Sequence, residues 1–429
     1  MRKIDFTADE LIAALLGLAD SHQVCILDSC GVGHLGSHLM IAGIRPVEMI
    51  QLSGRSADKT LEILNAKLSS PQAAFFTASY DFGTKLQGLH SRRTQIEEPD
   101  VFLALFDNLI VHDYSTGESF ITGNASVFDE IESMLQDSVF VSDLTSTASS
   151  VSSNFSRDEY ILAIETIKER IRSGDTYQTN LTRAVSVELP PSLIPESIFW
   201  RIRKNHPAPF SSFIKRGDST VISASPERFF HVNGRRISAS PIKGTRPRGS
   251  TPAEDERLRQ ELLTSEKDRA ENTMIVDLLR NDLGRVCEYG SVKVEHLCEI
   301  EEHPSLFHLV STIAGQLRND VDFADIFRAL FPCGSITGAP KIRTMQIIDK
   351  IETANRGLSM GAIGYRVPAS FGIGESIDLS VAIRTMVVRG DKAVFNVGGG
   401  IVIDSDAESE YDETSVKSRA LLDALLTIH

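Results

Sequence analysis

The spacing of hydrophobic positions changes along this chain, and each change marks an element. Up to about residue 140, short apolar runs such as VCILD (Val24 to Asp28), AAFFTAS (Ala73 to Ser79) and VFLALFDNLIVHD (Val101 to Asp113) alternate with turn residues and a few helical windows. TADE, Thr7 to Glu10, reads as a capping box that opens a helix on LIAALLGLA. Between Ser142 and Ser153 eight of twelve residues are Ser or Thr, which predicts a solvated linker. A boundary placed there divides an N-terminal region, residues 1–150, from a second part, residues 151–429.

That second part opens on FSRDEY, with Ser156 as N-cap, Glu159 three residues on, and Phe155 and Tyr160 spaced as a hydrophobic staple. The helix it predicts starts at Arg157, carries Ile161, Ile164, Ile167 and Ile171 on one side, and stops at Ser173 and Gly174. Strand patterns follow (YQTNLTRAVSVEL, TVISAS, SVKVEHLCEI, IDLSVAIRTMVV, KAVFNV), interleaved with helices. The helical stretch from Pro252 to Leu283 has two start signals, TPAE and SEKD, so two helices should meet near Ser265. Another helix opens at GAPKIR, with Pro340 in its first turn, and a last one runs from about Glu408 to Leu426.

Composition narrows the function classes. A net charge of −14 over 429 residues argues against nucleic acid or an anionic membrane as partner, so an anionic substrate would need a local basic site or a metal. The apolar run Leu11 to Ala19 is too short to span a bilayer. Five scattered cysteines without a CxxC pair fit reduced thiols in a cytoplasm. GVGHLG, Gly31 to Gly36, matches the dinucleotide fingerprint, which would make the chain an oxidoreductase. Too little sequence follows for a crossover helix before Gly43 and Pro46, and a turn between two strands is the better reading.

Several residues could carry chemistry. Asp268 and Glu271 share one helix face and Glu410 and Glu413 another; facing each other, they would offer oxygen ligands of the kind Mg²⁺ takes. On spacing alone such pairs are more often a solvated face, and Glu413 can simply pair with Lys417. Gly398 to Gly400 interrupt a strand pattern, marking either a bulge or a place where a ligand meets bare backbone N–H groups. Arg384, within SVAIRTMVV, should face the core by alternation and so needs an anionic partner from protein or substrate. Glu227 follows a strand, where a carboxyl can be tuned for proton transfer, and His308 reads as a structural histidine. Lys243, in SPIKGTRPRG, could act as a nucleophile if burial or the neighbouring cations Arg246 and Arg248 keep it neutral; otherwise it sits in a basic surface turn.

In order along the chain, ASPERF, PIKGTRPRG, DRAENTMIVDLLRNDLGRV, HLVSTI, FPCGSITGAPKIRTMQIID, GAIGY, IRT, GGGIVIDS and ESEYDET resemble the chorismate-using enzymes, which make anthranilate, aminodeoxychorismate, isochorismate or salicylate. The resemblance is dense from about Phe155 to the C-terminus and faint over residues 1–150. It implies an α+β fold of two packed antiparallel β-sheets with helices outside, and an N-terminal region that completes this body. Lysine at Lys243 marks the aminodeoxychorismate branch; anthranilate enzymes have alanine there. Gln178 stands where the isochorismate and salicylate enzymes place a water-activating lysine, which disfavours a water nucleophile.

What the resemblance implies about roles is specific. Glu271 and Glu413, with Asp268 and Glu410, would hold Mg²⁺ against the ring carboxylate of chorismate. Arg384, Tyr365 and Gly398, Gly399 and Gly400 would take the enolpyruvyl carboxylate, and Gly244, Thr245, Ser335 and Lys417 would line the remaining pocket. Lys243 would attack the ring, Glu227 would protonate the leaving hydroxyl, and His308 matches a histidine tied to proton transfer. Ammonia from a separate glutamine amidotransferase subunit would complete 4-amino-4-deoxychorismate, on the way to 4-aminobenzoate and folate. The alternatives are anthranilate synthesis and a non-catalytic regulator that binds chorismate or tryptophan. Leu27 to Ser29 falls where feedback-regulated relatives bind tryptophan, but matches their motif poorly.

Overall fold

The structure is a computed structural model that describes residues 1–33, 38–89, 91–92, 97–141, 147–148, 150–303 and 306–426. Two large antiparallel sheets, one of twelve strands and one of ten, form its body. Both draw on both parts of the chain. In the larger sheet Cys25–Asp28 pairs with Phe210–Arg216, and in the smaller Ala73–Ala78 pairs with Ala362–Val367. Strand Ala73–Ala78 shows why the early runs are apolar without a break. Phe75 packs in the layer between the sheets, against Phe106 and Val221, while Phe76 packs outward against a helix-covered core with Phe323. A strand buried on both faces has no polar side to show. Among the described residues no helix is long and apolar enough to cross a membrane.

Helix starts follow the capping chemistry. Thr7 and Glu10 form a capping box on helix Ala8–His22, and Ser156 and Glu159 form one on Arg157–Arg172. Ser265 ends helix Pro252–Thr264 and caps helix Glu266–Gly284, its hydroxyl accepting from Asp268 N. Pro340 is the N-cap of helix Lys341–Ile351 rather than a first-turn residue, and the last helix is Ala407–Leu425. Where a dinucleotide fold would need a helix after GVGHLG, the strands on either side, Cys25–Asp28 and Leu39–Gly43, pair directly and antiparallel. His34 to Gly36, in the middle of that motif, lie outside the described residues, as does most of the Ser/Thr-rich stretch up to Ser149.

IDLSVAIRTMVV is not one strand. Ser376–Val381 belongs to the smaller sheet and Thr385–Arg389 to the larger, and the chain crosses between them at Ala382, Ile383 and Arg384. Pro226 and Glu227 make the reverse passage, from Ser219–Ser225 to Arg228–Asn233. The two passages lie side by side and are bonded to each other. Ala224 N donates to Arg384 O (2.9 Å), Val381 N to Glu227 O (3.0 Å) and the Ser225 hydroxyl to Val381 O (2.6 Å).

A buried ion pair fixes a third segment beside them. Glu352 accepts from both Thr182 N and the Thr182 hydroxyl, and Arg356 donates to Glu352, Asn180 O and Ile336 O while lying over the Tyr80 ring. Strand Gln178–Glu188 is thereby tied to the turn Gly334–Ile336. Arg356→Met would leave Glu352 buried without its cation and should lower the unfolding free energy by about 3–5 kcal/mol in urea titration. A loss under about 1 kcal/mol would show that the pair does not brace this region.

Candidate active site

Lys243 lies on Ile242–Pro247, an edge strand of the smaller sheet. Its partner strand, Leu306–Gln316, faces Lys243 with Leu309 and Thr245 with His308, so the register slips at Gly244. Gly244 has φ +75°, and a Cβ there would come within 2.7 Å of Leu262 and 2.9 Å of the Asp268 carboxyl carbon. Only glycine suits this kink. Just beyond it the Thr245 hydroxyl and His308 Nδ1 are 2.9 Å apart.

Neither arginine of this segment is a free cation beside Lys243. Arg246 pairs with Glu261 (2.9 Å) and Asp268 (3.3 Å). Arg248 grips Asp255 with two nitrogens (2.8 and 2.6 Å) and lies over the Phe307 ring. The idea that they tune Lys243 is corrected by this pairing: both are spent in holding the edge strand to helix Pro252–Thr264. What Lys243 does face is carboxylates, and its charge favours the ionised forms of Glu227, Glu271 and Glu413.

Glu227 is buried at the crossing between the sheets, and its Oε1 has no hydrogen-bond partner among the described residues. Burial pushes its carboxyl above the ordinary value of 4.5, against the opposing pull of Lys243 and of a hydrogen bond with Ser335. Ser335 comes from the turn Gly334–Ile336, next to buried Cys333, whose thiol stands 3.3 Å from the Ser335 hydroxyl. His308 is buried too, its ring set edge-on to His303.

The two acidic pairs sit on helices Glu266–Gly284 and Ala407–Leu425, which approach each other through Lys267, 3.8 Å from Glu410. Burial raises Glu271, helped by Asp268 and Glu410 and opposed by Lys243 and Lys267. Burial would raise Glu413 as well, but Lys417, Lys267 and Lys243 together hold it below its ordinary range. Ser405 donates to Glu410 (2.7 Å), and Lys417 bridges Glu413 (2.7 Å) and Gly398 O (3.1 Å). A half-buried carboxyl crowded by two others is an environment that a hard divalent cation relieves, and all the donors are oxygens. Among the described residues no three acidic, His or Cys groups stand as a ready ligand set; Asp268 is drawn to Arg246 and Glu413 to Lys417.

Gly398, Gly399 and Gly400 make no bulge. They continue the regular ladder of Lys392–Ile401, opposite Thr182, Leu181 and Asn180. Close packing accounts for them: a Cβ at Gly399 would stand 3.1 Å from Glu410 Oε2 and 3.5 Å from Lys417, and one at Gly400 would stand 2.7 Å from Gln178 Nε2. Arg384 has φ +47° and sits on no strand, so the alternation argument fails for it. It does lack a counter-ion among the described residues, and burial pulls its guanidinium below the ordinary value.

Tyr365 belongs elsewhere. On Ala362–Val367 it shares the face of Ile363, which packs between the sheets, and period-two alternation sends its ring against Phe75 into a cavity of about 320 Å³. Asp28, Ser29, Arg228 and Asp378 line that same cavity. Asp28 is fully engaged there by Arg203 (2.7 Å), Tyr114 (2.8 Å) and Cys30 N (2.8 Å). Conversely, Lys267 is a site residue that spacing did not single out. Its signal was position, one residue before Asp268 and four before Glu271.

A kinked lysine edge strand, a buried carboxyl at a crossing between sheets and two acidic helices come together in an α+β body. Residues 27–423 match the family described as chorismate binding enzyme, and the chain belongs to that family. It is 32% identical to aminodeoxychorismate synthase component 1 of Bacillus subtilis, over 99% of this chain and 96% of that one. It is 39% identical to the aminodeoxychorismate synthase of Streptomyces griseus over 77% of its length, a match that takes up 47% of that protein. Anthranilate synthases are also among its relatives. The crystal structure of anthranilate synthase component I from Streptococcus pneumoniae superposes with a TM-score of 0.77 at 27% identity, covering 91% of this chain and 93% of that one.

The raised Glu227 carboxyl carries a sign that can be tested. Folding takes up a proton at pH values above the unfolded carboxyl's 4.5, so wild-type stability falls as pH rises through the folded value. Glu227→Gln removes that slope. Its thermal midpoint should exceed the wild type's at about pH 8 and match it at about pH 4; parallel profiles would contradict the burial of an ionisable group there.

Proposed function

We propose that the protein converts chorismate and ammonia to 4-amino-4-deoxychorismate. The observation that carries this reading is Lys243, whose charge acts on buried Glu227 and on both Glu271 and Glu413 of the acidic helices. A chain of net charge −14 binds a dianion by local counter-charge. Arg384, with no carboxylate partner among the described residues, and the backbone at Gly398 to Gly400, with Lys417, take the enolpyruvyl carboxylate. Gly244, Thr245 and Ser335 line the ring. Glu271 and Glu410 would hold Mg²⁺, with Asp268 and Glu413 released from Arg246 and Lys417 to join them. When bound, the ion supplies counter-charge to the ring carboxylate and withdraws electrons from the ring.

Lys243 first gives a proton to ionised Glu227; the resulting neutral amine attacks C2, the two conjugated ring double bonds each shift by one bond, and the C4–O bond breaks. Protonated Glu227 gives its proton to the departing hydroxyl, which leaves as water, and recovers a proton from the new secondary ammonium. Ammonia then attacks C4, the double bonds shift back, and the C2–N bond breaks to return Lys243, which accepts the surplus proton. The enolpyruvyl ether is untouched throughout. His308, held to Thr245, borders this chemistry through the Gly244 kink. A glutamine amidotransferase subunit is the proposed source of ammonia.

Purified protein with chorismate, Mg²⁺ and ammonium should yield a product that a lyase converts to 4-aminobenzoate. Fluorescent anthranilate instead would replace this reading with anthranilate synthesis, and ligand binding without turnover would make the chain a regulator. Lys243→Ala should lower turnover by at least about a hundredfold, and chelation should abolish it until Mg²⁺ is restored. A fully active alanine variant would reduce Lys243 to a structural cation.

A further inference from the structure

Three side chains withdrawn from solvent meet beside the crossing between the sheets: Cys333, Ser335 and Glu227, all buried. The Cys333 sulfur stands 3.3 Å from the Ser335 hydroxyl, within hydrogen-bond reach for sulfur. We infer that Cys333 is a positioning residue: its S–H donates to the Ser335 oxygen and thereby keeps the Ser335 proton directed at Glu227. The inference deepens the reaction proposed above and rests on it for the role of Glu227.

The direction of this chain follows from counting protons. A hydroxyl has one proton to give and two lone pairs to receive. Ionised Glu227 is a far better acceptor than a neutral thiol, so the Ser335 proton goes to the carboxylate, and Ser335 can then only accept from Cys333. The sulfur is held for that task, because the Ser335 backbone N–H bonds to it as well. Burial pushes the thiol up to about 11, and the nearby Glu227 charge acts in the same sense, so Cys333 keeps its proton near neutral pH. The turn that carries both residues is pinned by the Thr337 hydroxyl, which donates to Cys333 O (3.0 Å).

The proposed reaction makes use of such a chain. Lys243 can pass a proton to Glu227 only while Glu227 is ionised, and burial alone opposes that. Two donors in line polarise each other and favour the carboxylate. The bond also divides the two oxygens of Glu227. Ser335 occupies one, and Oε1, with no partner among the described residues, is left to take up and release the proton. The charged groups around the trio are Lys243 on the edge strand, which also favours ionised Glu227, and Lys341 on helix Lys341–Ile351, which acts on Cys333. Lys341 is itself held by Asp282 (2.6 Å) and Leu330 O (2.9 Å), and Arg384 lies on the adjoining passage between the sheets.

The test separates proton affinity from packing. Thermal midpoints of wild type, Cys333→Ala and Cys333→Ser are measured between about pH 4 and about pH 8, each with native Glu227 and again with Glu227→Gln. Without the thiol the folded Glu227 carboxyl moves further above 4.5, so more stability is lost as pH rises through the folded value. The Cys333→Ala deficit should therefore widen by about 1–2 °C across this range. In the Glu227→Gln background it should stay constant, and Cys333→Ser, which keeps a donor, should widen less than alanine. Should the alanine cavity prevent folding, Cys333→Val fills it without a donor and carries the same expectation. With chorismate, Mg²⁺ and ammonium adjusted to constant free ammonia at each pH, the acid limb of kcat should move up by about half a pH unit in Cys333→Ala. A deficit that is the same at every pH, or that widens equally in Glu227→Gln, would overturn the inference and leave Cys333 as packing. The thermal arm needs no substrate. If it holds while wild type makes no aminated product from ammonium, the hydrogen-bond chain stands and the proposed reaction falls.

Discussion

The site depends on two places where the chain leaves one sheet for the other. Pro226 and Glu227 carry it from the larger sheet to the smaller, and Ala382 to Arg384 carry it back; backbone bonds and the Ser225 hydroxyl lock the passages together. A crossing segment cannot use its neighbours' ladder bonds in full, so its side chains and φ values are set by local contacts. Glu227 is buried at one crossing with an oxygen unpaired among the described residues, and Arg384 takes a left-handed backbone at the other with no counter-ion among them. Opposite electrostatic needs are thus built into adjoining segments of one rigid junction.

Around that junction the chain spends its few cations carefully. Arg246, Arg248 and Arg356 are consumed in holding strand, helix and turn together. Lys243, Lys267 and Lys417 lie among the carboxylates of the two facing helices, and each alters their proton affinity. Glu271 and Glu410 are thereby kept largely from solvent without full pairing, while the half-exposed Glu413 is paired with Lys417. Fixed charges of this kind, already oriented before substrate arrives, need little reorganisation during reaction.

Much of this was legible in the sequence. The helix starts at Thr7, Ser156 and Ser265 follow from side chains within three residues of one another, and local chemistry decides them. Buried strands show as unbroken apolar runs because both their faces are covered. The ordered family motifs pointed to the acidic helices, Lys243 and Glu227 as parts of one site.

What failed to show was tertiary. IDLSVAIRTMVV keeps an apolar pattern on both sides of Arg384 because both strands are buried, and nothing local reveals that they lie in different sheets. Gly398 to Gly400 read equally as a bulge or as a ligand contact, because the side chains that crowd them, Gln178, Glu410 and Lys417, come from distant elements. Tyr365 shares a motif with the site yet points the other way, a consequence of strand register that a motif does not encode. The fate of Arg246 and Arg248 was set by carboxylates on a helix whose placement only the fold supplies.

In the proposed reaction Lys243 forms a covalent bond to the substrate ring. Protein incubated with chorismate and Mg²⁺ without ammonia, quenched in acid and digested, should yield a Lys243 peptide heavier by one chorismate less one water, and Lys243→Ala should not. An unmodified Lys243 peptide from enzyme that still aminates chorismate when ammonium is added would contradict the covalent route and leave the lysine as a charge beside the reacting ring.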